Sequence, residues 1–262
     1  VRHGFDEINK RFKKAIVTHG LISDGTPIMV GLSGGKDSLT LLYALKQFQR
    51  VSKYKYRLAA GHVCLGFPED DLSNMERFCQ ELEVPLFAER TQIGQLIFEV
   101  RRETNPCALC ARLRRGALNT LAKQQGYRKI ALAHHQDDAV ETLLLNLFFE
   151  GRVGSFKPKT YLDRMGLTVI RPLVYVPEEQ ISYFARKQGL PVSESHCPHN
   201  CEGKRQEMKK ILAELEAVAP LGKDRVVGAL DRLFGADWDG RPPEAWDTPD
   251  TEPGKPAQEQ QE

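Results

Sequence analysis

The stretch Ile28-Met29-Val30-Gly31-Leu32-Ser33-Gly34-Gly35-Lys36-Asp37-Ser38-Leu39 constrains this chain more than any other. An apolar run reads as a buried strand and two glycines turn the chain. Leu39, Leu41, Leu42 and Leu45 then follow at helical spacing. Adjacent glycines let backbone N–H groups converge on an anion, and the helix N-terminus adds the positive end of its dipole. Ser33 and Ser38 supply hydroxyls, and Lys36 supplies a mobile ammonium. The pattern predicts a loop for a nucleotide's phosphates, formed by Ser33, Gly34, Gly35, Lys36, Asp37 and Ser38. It is not the Walker-type loop, which needs four residues between its first Gly and Gly-Lys-Ser/Thr. The bland alternative is a strand–turn–helix corner with polar decoration.

Around this loop, strands and helices alternate. Apolar runs at Leu58–Cys64, Pro85–Ala88, Lys129–Ala133 and around Thr168–Leu173 read as strands, with helices around 70–82 and over 178–188. That alternation predicts an α/β, doubly wound parallel sheet with ligands at the strands' carboxyl ends. With 262 residues, 41% of them hydrophobic, the chain suffices for one large domain plus additions. The expected division is an amphipathic N-terminal helix within 1–26, a catalytic domain over 27–190, a helical extension over 191–235 and a tail from 236. In the first helix Phe5, Ile8, Phe12, Ile16 and Leu21 form the apolar side. Lys10, Arg11, Lys13 and Lys14 make its other face, either solvated or RNA-contacting. The tail carries eight acidic residues against Arg241 and Lys255, so a net charge of +2 hides +8 on the body. Rich in proline, acid and glutamine, the tail is expected to be disordered. The body's excess suits a polyanionic partner.

Six cysteines with no visible leader point to metal or reactive thiols in a cytosolic protein rather than to disulfides. The sequence opens on Val1, so its start is not taken as the protein's own. No apolar run approaches the roughly 18 residues of a membrane span. Cys64 and Cys79 sit singly in apolar patterns and read as buried structural thiols. Cys107 and Cys110 differ: Pro106 suits a first helical position, which puts both thiols one turn apart on one face. A redox dithiol, half of a zinc site and cluster ligands all fit that spacing. Arg112, Arg114 and Arg115 follow as a positive patch for thiolate, sulfide or RNA phosphate.

The Lys129 strand runs into His134-His135-Gln136-Asp137-Asp138. Asp138 with Glu141 matches a capping box. Asp137 is not explained that way and reads as a candidate for Mg²⁺ or for the second substrate. The histidines fit either capping or substrate contact. Gly151 to Lys159, with Arg152, Lys157 and Lys159, reads as a mobile loop ordered by RNA. Cys197 and Cys201 lie in a late His-Cys-Pro-His-Asn-Cys segment, followed by a basic helix over 204–215.

Ser-Gly-Gly-Lys-Asp-Ser resembles the signature of the PP-loop ATP-pyrophosphatases. The Cys-x-x-Cys with its Leu-Arg-Arg-Gly, His-His-x-Asp-Asp, Ile-Arg-Pro-Leu at 170–173 and a late Cys resemble the tRNA 2-thiocytidine synthetases within that superfamily. The resemblance spans roughly residues 5–215. It implies an enzyme that adenylates the C2 oxygen of a tRNA cytidine at position 32, then replaces it with sulfur, releasing AMP and pyrophosphate. It implies ATP and Mg²⁺, with His62 and His134 joining Ser33–Ser38 at the nucleotide. Lys36, Asp37, Arg114 and Asp137 match functional positions. A [4Fe–4S] cluster would rest on Cys107, Cys110 and Cys197, the last chosen by its spacing to Arg205-Gln206, with Cys201 a further candidate. Arg112, Arg115, Arg152, Lys157 and Lys159 are the expected RNA contacts. The implied partners are tRNA and a sulfur donor, either a cysteine desulfurase persulfide or free sulfide; a homodimer is left open. Uridine thiolation, or a lysidine-type ligase of the same superfamily, is the alternative.

Overall fold

The computed structural model describes residues 2–67, 71–97, 106–193, 204–235 and Trp238. Among them one sheet is formed by β1 (Ile28–Gly31), β2 (Leu58–Cys64), β3 (Leu86–Arg90), β4 (Lys129–Ala131), β5 (Lys159–Leu162) and β6 (Leu167–Ile170). The order is β3-β2-β1-β4-β6-β5, and every pairing is parallel except β5 with β6. The helices are α1 (Arg2–Thr18), α2 (Lys36–Val51), α3 (Ser73–Glu81), the short α4 (Ile93–Gln95), α5 (Pro106–Gln124), α6 (Gln136–Glu150), α7 (Glu178–Gln188), α8 (Lys204–Val218) and α9 (Gly222–Phe234). The doubly wound α/β fold is as expected; the antiparallel edge strand β5 is an addition to it.

Alternation along β1 divides the core. Ile28 and Val30 join Leu58 and Ala60 under α1, α2, α3 and α7. Met29, with Ala59 and Ile130, looks to the other face, where α5 supplies Leu109, Leu118, Leu121 and Ala122. A sheet covered on both faces explains why β1 is apolar throughout. Two glycines set how closely α5 lies on it. A Cβ on Gly31 would meet Leu118 at 2.9 Å, and one on Gly61 would meet Met29 at 2.6 Å and Leu118 at 3.0 Å. Forcing a methyl in at Gly61 would cost about 1–3 kcal/mol of stability.

The chain winds from β1 outward through β2 to β3, then crosses back to β4 on the other side of β1. The loops after β1 and β4 therefore diverge and leave a crevice at the carboxyl edge of the sheet. Because α5 carries the chain from β3 back to β4, its N-terminus lies at that same edge. Topology alone brings Cys107 and Cys110 to the same edge of the sheet as the loop after β1.

Several local expectations are corrected. Helix α6 begins before Asp138: His135 is its N-cap, accepting weakly from Asp138 N at 3.5 Å, while the Asp138 carboxylate accepts from His135 N at 3.0 Å. Asp138 is thus the inner member of the box, and Glu141 is left to pair with Arg205. The segment read as a mobile loop is strapped along α6. Asn146 Nδ2 donates to Gly154 O and Ser155 Oγ to Ala139 O, both at 2.8 Å, and Lys159 already belongs to β5. Trp238 falls past the expected tail boundary at 236. Trp238 is fully buried, its Nε1 donating to Asp231 at 3.1 Å and its ring packed on His19 and Tyr175. One indole buries enough apolar area to outweigh the acidic composition around it. The late cysteines, Cys197 and Cys201, lie outside the described residues. Among the described residues no helix is long and apolar enough to cross a membrane.

Candidate active site

Gly34 turns the loop after β1 with φ +85, a conformation that favours glycine, and its carbonyl accepts from Ser193 N at 3.0 Å. Ser38 Oγ is the hub of the turn. It accepts from Ser33 N at 3.1 Å, donates to Gly35 O at 2.9 Å and lies 3.1 Å from Ser33 Oγ. Gly35 N in turn donates to Ser33 Oγ at 3.3 Å. These bonds fix the loop from within, and no side chain caps the first turn of α2. Its N–H groups and dipole suit a phosphate. From β2, His62 Nδ1–H donates to Leu32 O at 2.8 Å, which fixes its tautomer and ties it to the strand end just before the loop.

Lys36 differs from the sequence expectation of a mobile cation. Its ammonium donates to Glu178 Oε1 at 2.9 Å and to Asp37 at 3.0 and 3.2 Å. Glu178 Oε2 takes a second cation, Lys209, at 2.7 Å. Burial works to lower the Lys36 pKa, but its bonds to Glu178 and Asp37 outweigh this and hold it raised. Burial likewise opposes ionisation of Glu178, yet Lys209 and Lys36 bring its pKa down to about 2. The unfolded value is about 4.3, so the stability this carboxylate confers is complete above that pH and is lost as pH falls towards 2. In urea unfolding, the stability gap between the chain and a Glu178→Gln variant should therefore shrink between about pH 5 and pH 2. A gap that stays constant over that range would contradict the assigned pairing.

Asp137 is buried at the start of α6. Its Oδ2 accepts from Glu178 N at 2.7 Å and its Oδ1 from Lys223 at 2.5 Å. Lys223 is shared with Glu216 at 2.7 Å. Both Asp137 oxygens are thus engaged in holding α7 and α9 to α6. Beyond β4, His134 Nδ1 accepts from Arg171 Nε at 3.3 Å, so Nε2 carries its proton. Burial first, and then the Arg171 charge, push the His134 pKa down to about 4, leaving a neutral imidazole. Arg171, at the end of β6, also donates to Lys157 O at 2.6 Å and lies over the Phe156 ring. Burial and the nearby Arg115 charge lower its pKa to about 10.

Cys107 lies in the first turn of α5 and Cys110 one turn later, both partly buried. Two thiols one turn apart at a helix N-terminus, followed by arginines, favour the thiolate that a cluster iron needs. The donor chemistry therefore fits two ligands of a [4Fe–4S] cluster. The described flanks of the segment bearing Cys197 and Cys201 are both near the crevice: Ser193 bonds Gly34, and Arg205 pairs with Glu141 at 3.1 Å. Among the described residues no three His, Cys, Asp or Glu side chains converge as a metal site.

The expected RNA residues are not one patch. Arg112 and Arg115 are exposed on α5, and Arg114 is partly buried there. Arg152 lies past the far end of α6, roughly 20 Å along that helix from His135, and pairs with Glu150 at 3.3 Å. Lys157 is partly buried, and Lys159 donates to Gly20 O at 3.4 Å. Sequence reasoning missed Glu178, Lys209 and Lys223 and used Arg205 only as a spacing marker; the four come from α7, α8 and α9. It had a signal for Arg171, which stands in the Ile-Arg-Pro-Leu run. For Glu178 it had none, since an acid in a first helical turn is explained by the helix dipole.

The PP-loop domain family matches residues 6–212. The chain therefore belongs to the PP-loop class of ATP-binding enzymes. It is 40% identical to a tRNA-cytidine(32) 2-sulfurtransferase of Citrifermentans bemidjiense over 87% of this chain and 91% of that one. Its identity to the protein of that name from Syntrophotalea carbinolica is 41%, over 87% and 90%. More narrowly, then, the chain belongs to the tRNA-cytidine(32) 2-sulfurtransferase family. Among solved structures it resembles the U34-tRNA thiolase NcsA from Methanococcus maripaludis with its [4Fe–4S] cluster, with TM-score 0.73 and 25% identity, covering 88% of this chain and 78% of that one.

Proposed function

We propose that this chain thiolates cytidine 32 of tRNA at C2, in two half-reactions at the carboxyl-edge crevice. The observation that supports the reading is that the loop Ser33–Ser38, at the N-terminus of α2, and the thiols of Cys107 and Cys110, near the N-terminus of α5, lie at one edge of one sheet. In the first step the C2 carbonyl oxygen attacks the α-phosphorus of ATP and pyrophosphate leaves. The α2 first-turn N–H groups and Lys36 stabilise charge on the phosphates, and His62 and His134 border the nucleotide. Asp37 steers the Lys36 ammonium. In the second step a sulfur nucleophile forms a bond to C2, the C2–O bond breaks and AMP leaves. An amide-like oxygen departs only when activated in this way.

Cys107, Cys110 and Cys197, with Cys201 as the alternative third thiol, would hold the cluster. When bound, the cluster supplies the iron chemistry of sulfur delivery. Arg114, four residues after Cys110 on the same helix, holds positive charge beside the thiols for an incoming sulfide or for the sulfur of a persulfide donor. Asp137 keeps α7, and with it Glu178, in place beside Lys36. Mg²⁺ enters on the triphosphate, with Asp137 its candidate protein ligand. Arg112 and Arg115 contact the RNA backbone at the crevice, and an unpaired anticodon-loop base is splayed into it.

The test is nucleoside analysis of tRNA incubated with the reconstituted chain, ATP and sulfide. The expected product is 2-thiocytidine, formed with one AMP per sulfur. The NcsA likeness favours uridine as a second reading, and a thiouridine product would replace cytidine with it. Absence of any thionucleoside, with AMP still formed, would remove the sulfur step altogether.

A further inference from the structure

Glu178 divides its carboxylate between two elements that are remote in sequence. One oxygen takes Lys36 of the phosphate loop at 2.9 Å, and the other takes Lys209 of α8 at 2.7 Å. Its own backbone N–H is fixed on Asp137 at 2.7 Å, so the carboxylate is held at the loop rather than swinging free. Helix α8 begins at Lys204, directly after the stretch bearing Cys197 and Cys201, and Arg205 anchors that start on Glu141. A phosphate that needs the Lys36 ammonium must compete with Glu178 for it.

We infer that Glu178 is a positioning residue that stands in for phosphate on Lys36 and links nucleotide arrival to α8. ATP takes Lys36 from Glu178, and the released carboxylate pairs with Lys209 alone. The binding of nucleotide is thereby felt at the helix that follows the late cysteines. This rests on the ATP reading given above, and on no chemistry at Glu178 itself. The same carboxylate sets a threshold: only an anion that outcompetes it gains the lysine.

A double-mutant cycle on MgATP binding, by calorimetry with the full chain, tests it. Glu178→Gln should tighten ATP about three- to tenfold when Lys36 is present. It should change nothing in the Lys36→Met background. Lys209→Met, which leaves Glu178 to Lys36 alone, should weaken ATP by a comparable factor, and carries the test if Glu178→Gln does not fold. Hydrogen exchange supplies a readout that simple destabilisation would not give. ATP should alter protection of the first α8 amides in the unaltered chain and leave them unmoved in Glu178→Gln. Equal effects of Glu178→Gln in both Lys36 backgrounds, or an unchanged ATP affinity, would overturn the proposal while leaving the nucleotide reading intact. Failure of the unaltered chain to bind ATP would instead overturn that reading, and this inference with it.

Discussion

Lys36→Met should lose ATP affinity by about 10- to 150-fold, the equivalent of one charge-assisted hydrogen bond of about 1.5–3 kcal/mol. Turnover should fall further, by about 10²–10³, because the ammonium also meets charge that develops as pyrophosphate leaves. Methionine keeps the apolar stem and removes only the charge. Folding should survive, since Glu178 retains Lys209 at 2.7 Å and the pair with Lys36 is partly exposed. Calorimetry with MgATP, AMP release and thionucleoside yield read the three consequences separately. An ATP affinity within twofold of the unaltered chain would place the phosphates elsewhere.

Loss of either Cys107 or Cys110 should abolish cluster assembly. A cuboidal cluster held by only one thiol of the α5 pair lacks the chelation that makes it persist. Under anaerobic reconstitution, Cys107→Ala and Cys110→Ala should each retain little iron and none of the visible cluster absorbance. ATP binding should stay close to normal, because the loop hydrogen bonds around Ser38 run to Ser33 and Gly35 within the loop itself. The same experiment separates the late cysteines. Cys197→Ala should lose iron and thiolation, and Cys201→Ala should keep both. Full iron content in Cys107→Ala or Cys110→Ala would remove α5 from the metal site. Iron loss in Cys201→Ala would shift the third ligand or show that all four thiols bind.

The sequence by itself determined the strand–turn–helix around Gly34, because a buried strand, paired glycines and a helical apolar stripe are local patterns. It also determined the helical placement of Cys107 and Cys110, since Pro106 and the one-turn spacing are local too. Strand alternation was enough for the doubly wound sheet, and the sheet was enough to predict a site at its carboxyl edge. The antiparallel β5 escaped because a four-residue edge strand, with burial on only one side, carries little periodic signal. Trp238 escaped because its burial depends on His19 and Tyr175, both far away in the chain.

Only the tertiary structure decided the partners of the charges. Lys36 and Glu178 are separated by 142 positions, and Asp137 and Lys223 by 86. No spacing rule connects such pairs. Each residue alone has a sufficient local explanation, a phosphate ligand or a helix-dipole acid. The choice between that explanation and an ion pair lies in the packing of α7, α8 and α9 around α2 and α6. Charge interactions act through space and fall with distance rather than with sequence separation, so the fold must exist before they can be read.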